Sequence, residues 1–315
     1  MVIIINKISS VGGQTGVRFK CVWRKKAMVR IPPRPCTNDY FRSYMAKITD
    51  LINNSNQFSF SFEVTPELSE GDVDNLEIEP LFYSVTWHAK GHQNKDLDIG
   101  PLRMARKLSK KGKTVLLHMS CDMLRKEFLD KVLMMLQEQG IRNLFLILGE
   151  KYNPSASDFP STMELIKYIK EHTGDWFCIA VAGDLDCSEE KLQDLKKKTD
   201  AGANFIITQA FFEPTLYKTF RKRCTTIGIN VPIMPGIFYF ETTKQLSNFV
   251  NLCKIKLSDE LIRKVENDPQ QEDFGVRLIK DLIDDLNGEF PHHFHFFTLN
   301  KLERVQSFIV QNFVK

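Results

Sequence analysis

The sequence has no cysteine framework. Its seven cysteines (Cys21, Cys36, Cys121, Cys178, Cys187, Cys224 and Cys253) are odd in number, scattered, and form no C-x-x-C. A disulfide-stapled scaffold and a zinc ribbon are therefore excluded, and a reducing compartment is implied. No apolar run approaches the roughly 20 residues needed to cross a bilayer, so no membrane partner is expected. Residues 1–38 lack acidic side chains altogether, yet carry Lys7, Arg18, Lys20, Arg24, Lys25, Lys26, Arg30 and Arg34. The net charge of +4, much of it concentrated in that leader, is too weak to argue for nucleic acid. A phosphate-binding glycine turn is also missing. The first strand candidate runs into Thr65-Pro66-Glu67, and the glycine cluster Gly12-Gly13-Gln14-Thr15-Gly16 does not sit between strand and helix. Dinucleotide folds and P-loops are excluded on that context.

The acid-free leader has three readings: a disordered arm, a mitochondrial transit peptide, or an electrostatic contact patch. Its β-branched start and the Pro32-Pro33-Arg34-Pro35 run spoil an amphipathic targeting helix. A flexible basic arm over residues 1–45 is favoured, with residues 46–315 forming the folded unit. A cytoplasmic location is expected, with a mitochondrial one as the alternative.

What is present is a barrel pattern. The chain of 315 residues suits one (β/α)8 barrel of about 250 residues with decorations. Apolar strand candidates recur at Phe58–Val64, Leu81–Thr86, Thr114–Met119, Asn143–Leu148, Trp176–Ala182, Asn204–Thr208, Val231–Pro235 and Phe294–Thr298. Helical patterns alternate with them at Ile99–Lys111, Leu124–Gln139, Thr162–Glu171, Glu189–Thr199, Thr215–Thr226 and Phe274–Leu286, and Leu302–Phe313 closes the series. Several strands are apolar throughout, as parallel strands covered on both faces must be. The predicted fold is an α/β (β/α)8 TIM barrel.

In such a barrel the strands' carboxyl ends carry the chemistry. The Asp200–Phe212 run reads as a helix end, a Gly-Ala turn, a buried strand and a polar pair, Thr208 and Gln209. Glu63 stands in Phe58-Ser59-Phe60-Ser61-Phe62-Glu63-Val64, where apolar residues alternate with Ser and then a carboxylate. A barrel-facing carboxyl among aromatics is poorly solvated, so its pKa should rise into the range of a general acid. The competing reading is an ion pair with a Lys or Arg of a neighbouring strand. His118 is readable as a satisfied core histidine. His293 and His295 share a strand face and invite a metal reading, but no carboxylate or Cys stands at matching spacing, so none is expected. Ser120-Cys121 has no base at local spacing.

Taken together, these segments resemble the catalytic barrel of methylenetetrahydrofolate reductase over nearly all of residues 58–313. The motifs fall in order: Phe60-Ser61-Phe62-Glu63, Val85-Thr86-Trp87-His88, His118-Met119-Ser120-Cys121, Val181-Ala182-Gly183, Asp200–Phe212, Pro235-Gly236-Ile237 and His295-Phe296-Phe297-Thr298-Leu299-Asn300. The resemblance implies a flavoprotein of one-carbon metabolism. FAD would take a hydride from NADPH or NADH and pass it to 5,10-methylenetetrahydrofolate, giving 5-methyltetrahydrofolate. Glu63 matches the general acid. Gln209, Gln245 and Phe249 match substrate contacts, with Lys301 where the family commonly has Arg. Thr86, His118, Glu150, Ala182, Lys197 and Lys198 match the cofactor side. Oligomeric state is left open. The chain stops one helix after its last strand, which implies no C-terminal regulatory domain.

The departures fall on the flavin half. Leu148-Gly149-Glu150 stands where the family shows R-G-D, so an Arg is lost. Asp184-Leu185-Asp186-Cys187 replaces a segment with a flavin-contacting Tyr, and Lys191 and Asp194 replace an Asp and an Asn. These changes keep an alternative open: a folate-binding barrel relative with weakened or lost FAD, acting as a binding or regulatory subunit.

Overall fold

The apolar runs become eight parallel strands because the segments between them bury one face each against the sheet. The computed structural model describes residues 46–53, 57–88, 96–149, 152–267, 273–287 and 292–314. Strands β1 (Ser59–Val64), β2 (Tyr83–Val85), β3 (Val115–Ser120), β4 (Asn143–Ile147), β5 (Cys178–Gly183), β6 (Phe205–Ala210), β7 (Ile233–Ile237) and β8 (His293–Phe297) pair in chain order. β8 then returns to β1, setting His295 opposite Ser61 and Phe297 opposite Glu63. The fold is a closed (β/α)8 barrel, as the sequence predicts. The basic leader of residues 1–45 lies outside the described residues.

The helices are α1 (Ile48–Asn53), α2 (Glu70–Asp74), α3 (Gly100–Lys110), α4 (Lys126–Glu138), α5 (Thr162–Thr173), α6 (Glu189–Asp200), α7 (Pro214–Thr226), α8 (Thr243–Cys253), α9 (Asp259–Asn267), α10 (Phe274–Leu286) and α11 (Leu302–Phe313). Side-chain caps start several of them: Ser161 accepts from Glu164 N–H, and Ser188 from Lys191 N–H. Four helices are absent from the sequence reading. α1 and α2 are too short to show a 3.6-residue period, and α8 and α9 bury few residues (Leu246 and Phe249; Leu261). The β7–β8 connection therefore holds three helices rather than one. β2 is shorter than predicted, Tyr83–Val85 in place of Leu81–Thr86.

Two cores divide the strand residues. Phe60, Phe62 and Val64 of β1 point outward and join the helices, with equivalents from the other strands. The opposite faces point into the barrel, where Leu116, Cys178, Ala180, Phe205, Ile207 and Met234 pack with Phe82 and with Ile48 and Ile52 of α1. α1 thus plugs the amino end. Its start is fixed by Asn143, whose Oδ1 accepts from Ile48 N–H at 2.9 Å and whose Nδ2 donates to Ala46 O at 3.1 Å. Burying Ile48 and Ile52 contributes about 1.5–3 kcal/mol each. With the floor closed, access to the lumen is from the carboxyl ends. Among the described residues no helix is long and apolar enough to cross a membrane.

Candidate active site

The mouth is identified by exposure inside a closed barrel. β5 and β6 are buried at every position except their penultimate residues, Ala182 and Gln209. Both lie on the lumen side of their strands, so the barrel is open above them. Thr208, the other half of the polar pair, is structural. Its Oγ1 accepts from Gly236 N–H at 2.9 Å across an irregularity in the β6–β7 register. Gly236 is required there, since a Cβ would sit 2.3 Å from Thr208 O and 2.7 Å from the Phe297 ring. The side-chain amide of Gln209 has no partner among the described residues.

Glu63 enters the same mouth from β1. Its side chain is half-buried, and its carboxyl has no hydrogen-bond or ion-pair partner among the described residues. The ion-pair reading therefore finds no cation. Burial alone pushes the carboxyl from an ordinary 4.5 up to about 7. The backbone around it is clamped. Thr298 Oγ1 donates to Glu63 O, Asn300 Oδ1 accepts from Thr65 N–H at 2.9 Å, and Asn300 Nδ2 donates to Thr65 Oγ1 at 2.8 Å. To make these bonds the turn holds Leu299 and Asn300 at positive φ, 48° and 59°. For a residue such as Leu that conformation is costly, and such strain concentrates at functional sites. The Thr-Leu-Asn motif thus holds the acid's strand end in place.

Next to Glu63, at the end of β2, Thr86 is buried and its hydroxyl has no hydrogen-bond partner among the described residues. Leaving a buried hydroxyl unpaired costs about 1–3 kcal/mol, so a ligand atom is the natural partner for it. Lower in the lumen, His118 lies tilted against Phe145, with ring centroids 4.7 Å apart, and bonds through Nε2 to Ser84 Oγ at 2.6 Å. Its pKa falls to about 3, through burial first and then through His295 and His88. His293 and His295 are held in a chain. Ser59 Oγ meets His293 Nδ1 at 2.9 Å, His293 Nε2 meets Ser61 Oγ at 2.9 Å, and Ser61 Oγ meets His295 Nδ1 at 2.7 Å. Serine hydroxyls occupy three of their four ring nitrogens, and burial lowers both pKa values to about 3. Among the described residues no group of three or more His, Cys, Asp or Glu could hold a metal ion.

The rim on the β7–β8 side comes from the first two turns of α8 and the start of α11. Phe249 is buried in a parallel stack on Phe238, with ring centroids 3.6 Å apart, and Phe297 lies 6.4 Å from Phe249. Gln245 belongs to the capping box of α8: its Oε1 accepts from Glu241 N–H at 2.8 Å and also from Arg304 Nη2. Lys301 is the exposed N-cap residue of α11. Phe238 and Arg304 are absent from the sequence reading. Phe238 was findable, because it directly follows the Pro235-Gly236-Ile237 strand end; Arg304 gave no signal.

The structure therefore draws Glu63, Thr86, Ala182 and Gln209 together, with His118 just below and Gln245, Phe249 and Lys301 at one rim. Lys197 and Lys198 stand in the last turn of α6, with Lys198 within electrostatic reach of Cys121, which follows the carboxyl end of β3. Lys197 is paired with Asp194 at 2.9 Å, and burial lowers the pKa of Lys198. Glu150 lies outside the described residues. Leu148, where the resemblance would put Arg, is 41% exposed at the end of β4. Asp184 pairs with Lys191 at 3.2 Å, so much of the acid added to that loop is neutralised locally.

The fold is a floored (β/α)8 barrel whose carboxyl-end face gathers an acid and a buried hydroxyl, both unpartnered among the described residues, and an exposed amide. The chain belongs to the methylenetetrahydrofolate reductase family, whose description matches residues 47–313. It is 32% identical over 309 residues to methylenetetrahydrofolate reductase 2 of Schizosaccharomyces pombe, covering 84% of this chain and 47% of that protein. It is 28% identical over 291 residues to methylenetetrahydrofolate reductase (NADH) 1 of Arabidopsis thaliana, covering 81% and 48%. To 5,10-methylenetetrahydrofolate reductase of Buchnera aphidicola subsp. Schizaphis graminum it is 28% identical over 285 residues, covering 86% and 96%. The chain thus spans about half the length of these eukaryotic relatives and nearly all of the bacterial one. A solved structure described as an uncharacterized protein from Clostridium thermocellum that binds two copies of 5-methyl-5,6,7,8-tetrahydrofolic acid superposes with a TM-score of 0.59 at 12% identity, covering 85% and 98%. That likeness shows the fold alone.

Proposed function

We propose that this barrel reduces 5,10-methylenetetrahydrofolate to 5-methyltetrahydrofolate with electrons from NADPH or NADH, by way of FAD. The observation that carries the reading is Glu63, an acid without a partner that burial poises near neutrality at the mouth of a barrel of this family. A general acid should titrate near working pH. Placed here, Glu63 protonates the bridge nitrogen that leaves: its C–N bond breaks, the bonding pair stays on that nitrogen with the proton, and the lone pair of the other bridge nitrogen forms the iminium that accepts hydride. Gln209 and Gln245 offer amides to the folate, Phe249 with Phe238 an apolar wall, and Lys301 a cation for an acidic tail.

The mouth also suits a flavin. Thr86 has a buried hydroxyl awaiting a partner, and Ala182 leaves room for a flat ring. His118, held neutral by burial, would contact the ring from below. When bound, FAD supplies the hydride carrier that no side chain can be. Lys197 and Lys198 of α6 would offer cations to the phosphates of the dinucleotide.

The alternative, a folate-binding barrel with weakened or lost FAD acting as a binding or regulatory subunit, rests on Leu148 in place of an Arg and on Asp184 after β5. The visible spectrum of the purified protein decides between them. A yellow preparation that NADPH or NADH bleaches and methylenetetrahydrofolate recolours supports the reductase. A colourless protein that binds folate but no added FAD supports the alternative.

A further inference from the structure

The side chain of Gln245 is not free to choose its orientation. Its Oε1 accepts from Glu241 N–H at 2.8 Å, from Thr242 N–H at 3.3 Å, and from the Arg304 guanidinium. Backbone N–H groups and a guanidinium are donors only, so the amide atom they surround must be the oxygen. The NH2 group is left without a partner among the described residues.

Arg304 is itself fixed on three sides. Its Nε lies 3.0 Å from Glu241 Oε1, within ion-pair range though not aligned as a hydrogen bond. Its guanidinium covers the Tyr239 ring at 5.3 Å, and Tyr239 is stacked on Phe308 of α11. Arg304 is the third residue of α11, where the helix dipole opposes a cation. Its place there is explained by what it holds, not by what it does for α11. With Glu241 as counter-ion it is poorly suited to bind a substrate carboxylate, whereas Lys301, one turn earlier, has no ion pair among the described residues.

We propose that Arg304 is a positioning residue of the substrate site. It locks Gln245 as a pure hydrogen-bond donor and so selects a substrate that presents an acceptor oxygen at that point. A folate offers such oxygens in its ring carbonyl and its benzoyl amide. The inference rests on the reading of this mouth as a folate site.

The test is the dissociation constant of 5-methyltetrahydrofolate for the full chain, by titration calorimetry, alongside kcat and KM. Arg304→Met should weaken binding about tenfold, the worth of one oriented hydrogen bond, and raise KM more than it lowers kcat. Arg304→Lys, which still donates to Gln245, should restore binding to within about threefold. In a Gln245→Ala background Arg304→Met should add less than about a further twofold, because it acts through the amide. An equal loss in that background would overturn the proposal by showing that Arg304 touches the ligand itself, and an unchanged constant in Arg304→Met would overturn it too. Should Arg304→Met fail to fold, Glu241→Gln, which removes the counter-ion, should give the same Gln245-dependent loss; if its loss is independent of Gln245, the proposal falls. Wild-type protein that binds no folate removes the functional reading and this inference with it. Folate binding that is indifferent to Gln245→Ala overturns the inference alone.

Discussion

Replacing Glu63 by Gln removes a proton and little else, which makes it the sharpest perturbation of this site. Burial moves the carboxyl from 4.5 to about 7. At pH 7 about half of the molecules then hold the proton, against about 0.3% for a carboxyl at 4.5, a gain in available acid of about 150-fold. General acid catalysis contributes about 10²–10⁴-fold, so Glu63→Gln should slow the folate-reducing half-reaction by at least about 100-fold. Reduction of the flavin by the nicotinamide cofactor needs no acid from Glu63 and should run at nearly the wild-type rate. Anaerobic stopped-flow at the flavin band separates the two steps. In the wild type, reoxidation by methylenetetrahydrofolate should fall as pH rises through about 7, and that dependence should vanish in the variant. Equal slowing of both steps would refute the assignment, since Glu63 would then be holding the barrel or the cofactor in place. If neither step slows, the acid lies elsewhere, with Glu150 the next candidate.

The same variant should be more stable than the wild type in alkali. A carboxyl whose folded pKa is raised contributes stability that is fully present below 4.5 and lost as pH rises through about 7; Gln has no such loss. The advantage should reach about 1–3 kcal/mol by pH 8, after allowance for partial solvent access, and disappear near pH 4 in urea melts at the two pH values. Thr86→Val removes a buried hydroxyl without a partner among the described residues, so ligand-free protein should gain about 1 kcal/mol while flavin occupancy falls; a loss of stability without ligand would show that the hydroxyl is already satisfied. Asp184→Tyr removes an acid from the loop after β5 and should lower the flavin dissociation constant severalfold; equal or weaker binding would mean that this loop does not reach the cofactor.

Much of the fold was legible because parallel strands are buried on both faces and read as continuous apolar runs. Glu63 was legible because alternation over Phe58–Val64 sets the carboxyl on the face opposite the phenylalanines, and these pack against the helices. What stayed hidden depended on contacts between distant segments. The pair Thr208 and Gln209 looks alike in sequence, and only the β6–β7 irregularity reveals that Thr208 bonds Gly236 while Gln209 faces the opening. His293 and His295 share a face, as read. Their partners Ser59 and Ser61 stand more than 230 residues away and arrive only when β8 closes on β1. Lys197 and Lys198 match by motif, and only the packed structure separates them, with Lys197 paired to Asp194 and Lys198 half-buried. α1 carries too few turns to announce itself, although it floors the barrel.

The neutrality of the lumen below Glu63 is what would allow that residue to serve as the proposed acid. A cation in the layer beneath would favour the carboxylate and draw its pKa back down. The side chains that fill that layer on the β8 and β3 sides, His293, His295 and His118, are all titratable, yet burial holds each near 3 and hence uncharged at pH 7. Serines make this state tolerable, because Ser59, Ser61 and Ser84 bond the neutral rings without requiring a charge. Alternating Phe and Ser in β1 therefore serves the site twice. The phenylalanines anchor the strand to the helix layer, and the serines keep the imidazoles neutral beneath the one carboxyl that the same strand delivers to the mouth.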